Sequence, residues 1–265
     1  MVTRPLVAVS DLRHAYADGN AALRGISFAV GGGERLAIVG ANGAGKSTTL
    51  LHLAGCLLPQ AGSVRIGDLL LCRDNLPQLR RSVGLLFQNP DDQLFMPRVF
   101  DDVAFGPVNL GLPADEVNAR VMHALAVVDA THLAQRQPHR LSGGEKRAVA
   151  IASVLALSPT ILLMDEPTAS LDPASRRQFI DLLLTLDQTL IIATHDLDLV
   201  LDLCPRTLVL REGTIIADGA TAVVLQNADL LAAARLEKPL RLQACPVCSG
   251  ASGREAPQFP AWTRV

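Results

Sequence analysis

The chain has 265 residues, which suits one large domain, or a domain with a smaller lobe, around a substantial core. Its 24 Lys plus Arg nearly balance 26 Asp plus Glu, so no polyanion-wrapping surface is expected and nucleic acid is excluded from the expected partners. Five scattered cysteines, at 56, 72, 204, 245 and 248, do not make a disulfide framework, and the odd count fits a reducing compartment.

Taken in chain order, Met1 to Pro5 has no apolar segment behind it, so no secretory signal is expected and the chain is read as cytosolic. Leu6 to Ser10 and Ile26 to Val30 read as strands of a small antiparallel sheet near the phosphate loop described below, with Gly31-Gly32-Gly33 as the turn into the core. Strand-length apolar runs then alternate with helical patterns: Leu36 to Val39 before a helix from about Lys46, then Val83 to Phe87, Ile161 to Met164, Leu190 to Ala193 and Leu208 to Leu210. Continuously apolar strands must be buried on both faces, so the core is expected to be α/β, a parallel or mixed sheet with flanking helices. Between Asn89 and Pro159 the strand signal gives way to helical patterns at about Val99 to Val108, Ala114 to Val128 and Gly143 to Leu157, an inserted helical lobe over about residues 89–159.

Ala148 to Met164 is the best candidate for a membrane span. It is shorter than the roughly 20 apolar residues a span needs. Ser158-Pro159-Thr160 also interrupts it, so it reads as a buried helix, a turn and a buried strand. After Glu237 no periodic apolar pattern persists, and 238–265 reads as a tail. Within it Cys245-Pro246-Val247-Cys248 supplies only two of the four ligands of a structural zinc site.

Two constellations carry chemistry. Gly40-Ala41-Asn42-Gly43-Ala44-Gly45-Lys46-Ser47, followed by Thr48, matches G-x-x-x-x-G-K-[ST] between a buried strand and a helix. Its backbone N–H groups and the helix N-terminus suit phosphate oxygens, Lys46 reaches the β- and γ-phosphates, and Ser47 suits Mg²⁺. Asp165 and Glu166 end the apolar run Ile161 to Met164, at the strand edge where ligands of open α/β sheets bind. Asp165 is expected in the Mg²⁺ shell, and Glu166 is expected to polarise an attacking water as general base.

Leu141-Ser142-Gly143-Gly144-Glu145, about twenty residues before that pair, resembles the signature of ABC ATPases. The resemblance covers about residues 5–235, with residues 1–237 as the ATPase domain, and implies an ABC-type nucleotide-binding fold with an antiparallel β-subdomain and a helical subdomain. It implies ATP and Mg²⁺ as ligands, with Tyr16 stacking on adenine, Gln88 as the Q-loop residue beside Ser47 and Asp165 at the metal, Asp172 in the D-loop and His195 as the switch histidine. Ser142, Gly143 and Gly144 would face the γ-phosphate bound by a second ATPase subunit, a homodimer being the favoured pairing. Glu145 stands where Gln is usual, and a carboxylate there is expected to retune that contact, because it only accepts where an amide also donates.

Phe87 to Phe95, with Gln88-Asn89-Pro90-Asp91-Asp92-Gln93, and Asp101 to Pro107 are similar to the energy-coupling-factor (ECF) class. That likeness implies a peripheral subunit on the cytoplasmic face of a bacterial membrane, powering a transmembrane coupling subunit and a separate substrate-binding membrane component. Asp91 and Asp92 would line a groove for a basic coupling helix. The length is closer to cobalt/nickel-transport subunits than to biotin ones; an ECF ATPase for a vitamin and a soluble ABC ATPase outside transport are the alternatives. The soluble class is expected to carry two cassettes or a long coiled-coil insertion, and neither fits in 265 residues.

Overall fold

A strand with no polar face has to be covered on both sides, and the core of this chain is built around such strands. The computed structural model describes residues 4–243. Two long strands, β1 (Val7–Ala15) and β2 (Ala21–Val30), open the chain, and β3 (Arg35–Val39) leads into α1 (Lys46–Leu53). Next come β4 (Ala61–Ile66), β5 (Leu69–Leu70), α2 (Leu76–Ser82) and β6 (Val83–Leu86). Three helices follow with no strand between them: α3 (Val99–Asn109), α4 (Ala114–Val127) and α5 (Gly143–Leu155). The chain then alternates β7 (Ile161–Asp165), α6 (Pro173–Thr185), β8 (Thr189–Thr194), α7 (Leu197–Leu203) and β9 (Arg206–Arg211). It closes with β10 (Thr214–Ala220), α8 (Thr221–Val224) and α9 (Ala228–Ala233).

The central sheet has the order β10-β9-β3-β8-β7-β6, parallel except for β10 at the edge. Its side chains divide by strand period between two cores. Ala37, Val39, Leu162, Met164, Leu190 and Ile192 face one core, which extends through α3, α4, α5 and α6. Leu36, Ile38, Ile161, Leu163, Ile191 and Ala193 face the other, shared with α1 and the first sheet. Each fully buried Leu or Ile contributes about 1.5–3 kcal/mol relative to exposure, and the β3, β7 and β8 residues just named are all 1% exposed or less.

The first sheet has the order β2-β1-β4-β5 and is larger than the two strands expected. β4 and β10 have weak sequence signals for one reason: each is partly exposed, and β4 carries Gly62. β4 pairs with β1, which is distant in sequence, whereas β10 forms a hairpin with the preceding β9. Ala148 to Met164 forms most of α5, a turn with Ser158 at φ 52°, and β7. Among the described residues no helix is long and apolar enough to cross a membrane.

The start of the expected tail is tied down. The Leu240 N–H donates to Asp198, and Arg241 pairs with Asp202 at 2.7 Å, both acceptors lying on α7. Cys245 and Cys248 lie outside the described residues.

Candidate active site

The phosphate loop connects buried β3 to α1, and its geometry depends on glycine at Gly45. That residue caps α1 with φ 105°, and a Cβ there would sit 2.7 Å from the Ala22 carbonyl oxygen. No side chain caps α1 and no acidic residue occupies its first turn, so its N-terminal N–H groups and dipole are left to an anion. Lys46 is 6% exposed and donates from Nζ to the carbonyls of Gly40 (2.8 Å) and Ala41 (3.3 Å). Burial pulls its pKa down, against the opposing pull of Glu166 and Asp165.

Opposite the loop, β7 ends at Asp165, and the chain turns sharply at Glu166, whose φ of 43° is unusual for a residue with a side chain. Such left-handed backbone costs about 1–3 kcal/mol and persists only where its surroundings hold it. Here Thr194 Oγ1 donates to Glu166 Oε2 at 2.8 Å, and the His195 N–H and Nδ1 reach Oε1 at 3.1 and 2.6 Å. The Glu166 N–H donates to the Ala193 carbonyl. One carboxylate is thus aimed from the end of β7 by the end of β8.

Burial pushes the Asp165 carboxyl up, with Ser47 pulling the other way, and its buried Oδ1 has no hydrogen-bond partner among the described residues. An unpartnered carboxylate oxygen beside a hydroxyl, in a cleft also lined by Gln88, is the oxygen donor set that a hard divalent cation such as Mg²⁺ takes.

These groups share one cleft of about 340 Å³, lined by Tyr16, Asn42 through Thr48, Gln88, Asp165, Glu166 and His195. Gly40 and Ala41 stand behind it, as acceptors for Lys46. Ser142, Gly143, Gly144 and Asp172 are not among its walls. Ser142 and Gly144 border a separate cavity of about 630 Å³ between the end of α4 and α6. Asp172 caps α6, accepting from the Ala174 and Ser175 N–H groups and from the Ser175 hydroxyl.

Glu145 is turned back onto its own helix. Its carboxylate accepts from the Ser142 N–H and hydroxyl, both at 2.8 Å, while Ser142 Oγ accepts from the Glu145 N–H. This capping box follows from the S-x-x-E spacing, a local signal that the comparison of Glu145 with the usual Gln had obscured. The Ser142 backbone and side-chain donors hold the Glu145 carboxyl below its ordinary pKa.

Arg147 is the residue whose part the sequence concealed. It is 2% exposed and has no carboxylate partner among the described residues, and its Nη1 and Nη2 donate to the carbonyls of Phe87 (2.8 Å) and Gln88 (2.6 Å). Desolvation lowers its pKa to about 10. Gln93 reinforces this link through Nε2, which donates to the Ala150 carbonyl and Ser153 Oγ, and through Oε1, which accepts from the Phe87 N–H. Lys146 adds an ion pair with Asp91 at 2.6 Å. α5 therefore holds the segment carrying Gln88 at three points. The available signal is a charged residue immediately before the uncharged run Ala148 to Met164.

Comparison with known proteins agrees with this geometry. The sequence profile of the ABC transporter family matches residues 23–169. A Geobacter sulfurreducens protein described as an ABC transporter ATP-binding protein is 60% identical over 243 residues, covering 92% of this chain and 98% of the relative. The energy-coupling factor transporter ATP-binding protein EcfA of Methanothermobacter thermautotrophicus is 47% identical over 239 residues, covering 88% and 77%. Among solved structures, cbiO1 from Clostridium perfringens, described as part of the ABC transporter complex cbiONQ, superposes with a TM-score of 0.77 at 40% identity, covering 86% of this chain and 93% of that one. A phosphate loop facing a strand-end carboxylate pair, on this sheet order and with these relatives, places the chain in the ABC transporter family as one of its ATP-binding and ATP-hydrolysing proteins.

Proposed function

We propose that this protein is the ATPase subunit of an ECF-type importer, with residues 1–237 as its ATPase domain, driving uptake of a cobalt or nickel ion through a membrane coupling subunit. The observation carrying this reading is the surface continuous with Gln88. Phe87, Phe95, Phe105 and Val108 are exposed together, Phe95 at 62%, with the Phe95 and Phe105 rings edge-on at 5.0 Å. Asp102 is buried and accepts from the Phe95 and Met96 N–H groups, so the aromatic tip is held outward from below. Asp91 remains largely exposed beside it despite its bond to Lys146. Exposed aromatics with an acidic rim suit an amphipathic, basic helix from a membrane partner.

In the nucleotide cleft, Glu166 acts as general base toward a water aligned with the γ-phosphate, while His195 and Thr194 fix its carboxylate. Lys46 and the α1 N-terminus hold the phosphates, and Tyr16 offers a ring to the adenine. Mg²⁺ held by Ser47, Asp165 and Gln88 would supply charge neutralisation at the phosphates. The signature residues Ser142, Gly143 and Gly144 lie outside this cleft, which supports a dimer in which each chain completes the other's site. A second copy of this chain is the favoured partner, and the assembly sits on the cytoplasmic face of the membrane. The cobalt or nickel cargo rests on the resemblance of the sequence, in its length, to cobalt/nickel-transport subunits; a vitamin is the second reading.

The deciding experiment is affinity purification of the tagged chain from solubilised membranes, with Phe95→Ser and Phe105→Ser together as the contrast. Wild type is expected to retain a coupling subunit and the double variant to lose it with ATP binding unchanged. Equal recovery by both would remove this surface from the docking role.

A further inference from the structure

Two buried imidazoles have no part in the chemistry above. His14 is 8% exposed and His52 fully buried, and among the described residues His14 Nδ1 has no hydrogen-bond partner. Burying a polar atom unpaired costs folding free energy, so its retention calls for a physical reason.

The reason lies in what the two rings join. His14 lies near the end of β1 and Tyr16 directly follows its last residue, Ala15. The His14 ring meets the Tyr16 ring edge-on, with centroids 4.9 Å apart and planes at 83°. It meets the His52 ring edge-on as well, at 4.8 Å and 76°. His52 Nδ1 lies 2.8 Å from the Thr48 carbonyl, and because a carbonyl only accepts, Nδ1 carries the proton. Tyr16 Oη lies 3.1 Å from Thr48 Oγ1. The circuit Tyr16–His14–His52–Thr48–Tyr16 is therefore closed. It ties the strand end carrying Tyr16 to the helix that begins with the phosphate-binding residues. Gln60 steadies the same strand end, since its Oε1 accepts from the Ala15 N–H at 2.7 Å and its Nε2 donates to the Ala15 carbonyl at 2.8 Å.

We infer that His14 and His52 are positioning residues for nucleotide-base recognition: their edge-on stack sets the Tyr16 ring at a fixed height and tilt over the phosphate-loop helix. Tyr16 is 39% exposed, and without backing its ring would be free to turn. Both imidazoles act through Tyr16, and neither touches the nucleotide. This deepens the proposed function and rests on its assignment of Tyr16 to the adenine.

The test compares ATP with inorganic tripolyphosphate, which has the phosphates and lacks the base, by calorimetry on the purified chain. His14→Ala is expected to weaken ATP binding by roughly three- to tenfold, the scale of one lost aromatic pair. Tripolyphosphate binding should be unchanged, and His14→Phe, which keeps a ring there, should recover most of the ATP affinity. In a Tyr16→Ala background His14→Ala should have no further effect on ATP. Tyr16→Phe alters an exposed side chain and breaks only the Thr48 arm, so it should lower ATP affinity roughly two- to fivefold with tripolyphosphate unaffected; it decides the matter if His14→Ala fails to fold. A wild-type ratio of ATP to tripolyphosphate affinity in His14→Ala, with Tyr16→Ala changing that ratio, overturns the inference and leaves the base-stacking role standing. An unchanged ratio in Tyr16→Ala overturns both. Equal weakening of both ligands by His14→Ala means general damage to the fold and also rejects the positioning role.

Discussion

Helices α1 and α5 both open on glycine-rich turns, yet their N-termini are prepared differently. α1 starts from Gly45 with no side-chain cap, so its amide donors are not committed to the protein. α5 starts from Ser142 inside a capping box, with the serine hydroxyl and N–H both given to Glu145. The first end is a preformed anion site. The second has its Ser142 and Glu145 N–H groups and the Ser142 hydroxyl committed to the capping box. On the proposed function, the first end receives a ligand the chain holds itself and the second meets one that arrives with a partner.

The largest test of this contrast lies on the α1 side of the cleft. Glu166→Gln keeps the shape held by Thr194 and removes the base, so steady-state ATPase activity should fall about 10²- to 10⁴-fold while ATP affinity stays within a few-fold. Turnover near wild type would remove Glu166 from this role. Next in size, Lys46→Ala removes charge-assisted contacts to phosphate and should weaken ATP binding by roughly 10- to 100-fold in calorimetry. An unchanged affinity would mean that α1 is not the phosphate site.

Arg147→Met carries the comparison to the body of α5. It leaves the carbonyls of Phe87 and Gln88 without their donor, so urea unfolding should show a loss of about 1–3 kcal/mol. ATPase activity should fall through displaced Gln88, with ATP affinity nearly intact. A stability loss without an activity change would make Arg147 a packing residue only. The smallest effect is at the cap itself. Ser142→Ala should cost about 0.5–2 kcal/mol in thermal unfolding, whereas Glu145→Gln should cost less, because an amide at that position also serves the box. The Glu145 carboxyl has a lowered folded pKa, so its contribution is present at neutral pH and fades as pH falls through that lowered value; Glu145→Gln should flatten the acid limb of the stability curve. A steeper loss in Glu145→Gln than in Ser142→Ala would contradict the capping geometry.

The reach of sequence reasoning followed the distance over which each feature is specified. β3, β7 and β8 were legible because their burial on both faces leaves a continuous apolar run, and the phosphate loop because its glycines are demanded by backbone geometry within one turn. Asp165 and Glu166 were legible as a strand ending in carboxylates. β4 and β10 were not, since half-exposed strands leave no continuous apolar run, and β4 also owes its pairing to the remote β1.

The sequence by itself determined the α/β core, the phosphate loop, the carboxylate pair and the family they resemble, because each is written in residues adjacent in the chain or in a fixed strand or helix period. Only the tertiary structure decided that Arg147 grips the Gln88 segment and that His14 and His52 back Tyr16. Those outcomes depend on which buried polar group finds a partner once remote elements pack. Sequence spacing carries no record of that, because the energy of a buried contact is set by three-dimensional geometry and desolvation.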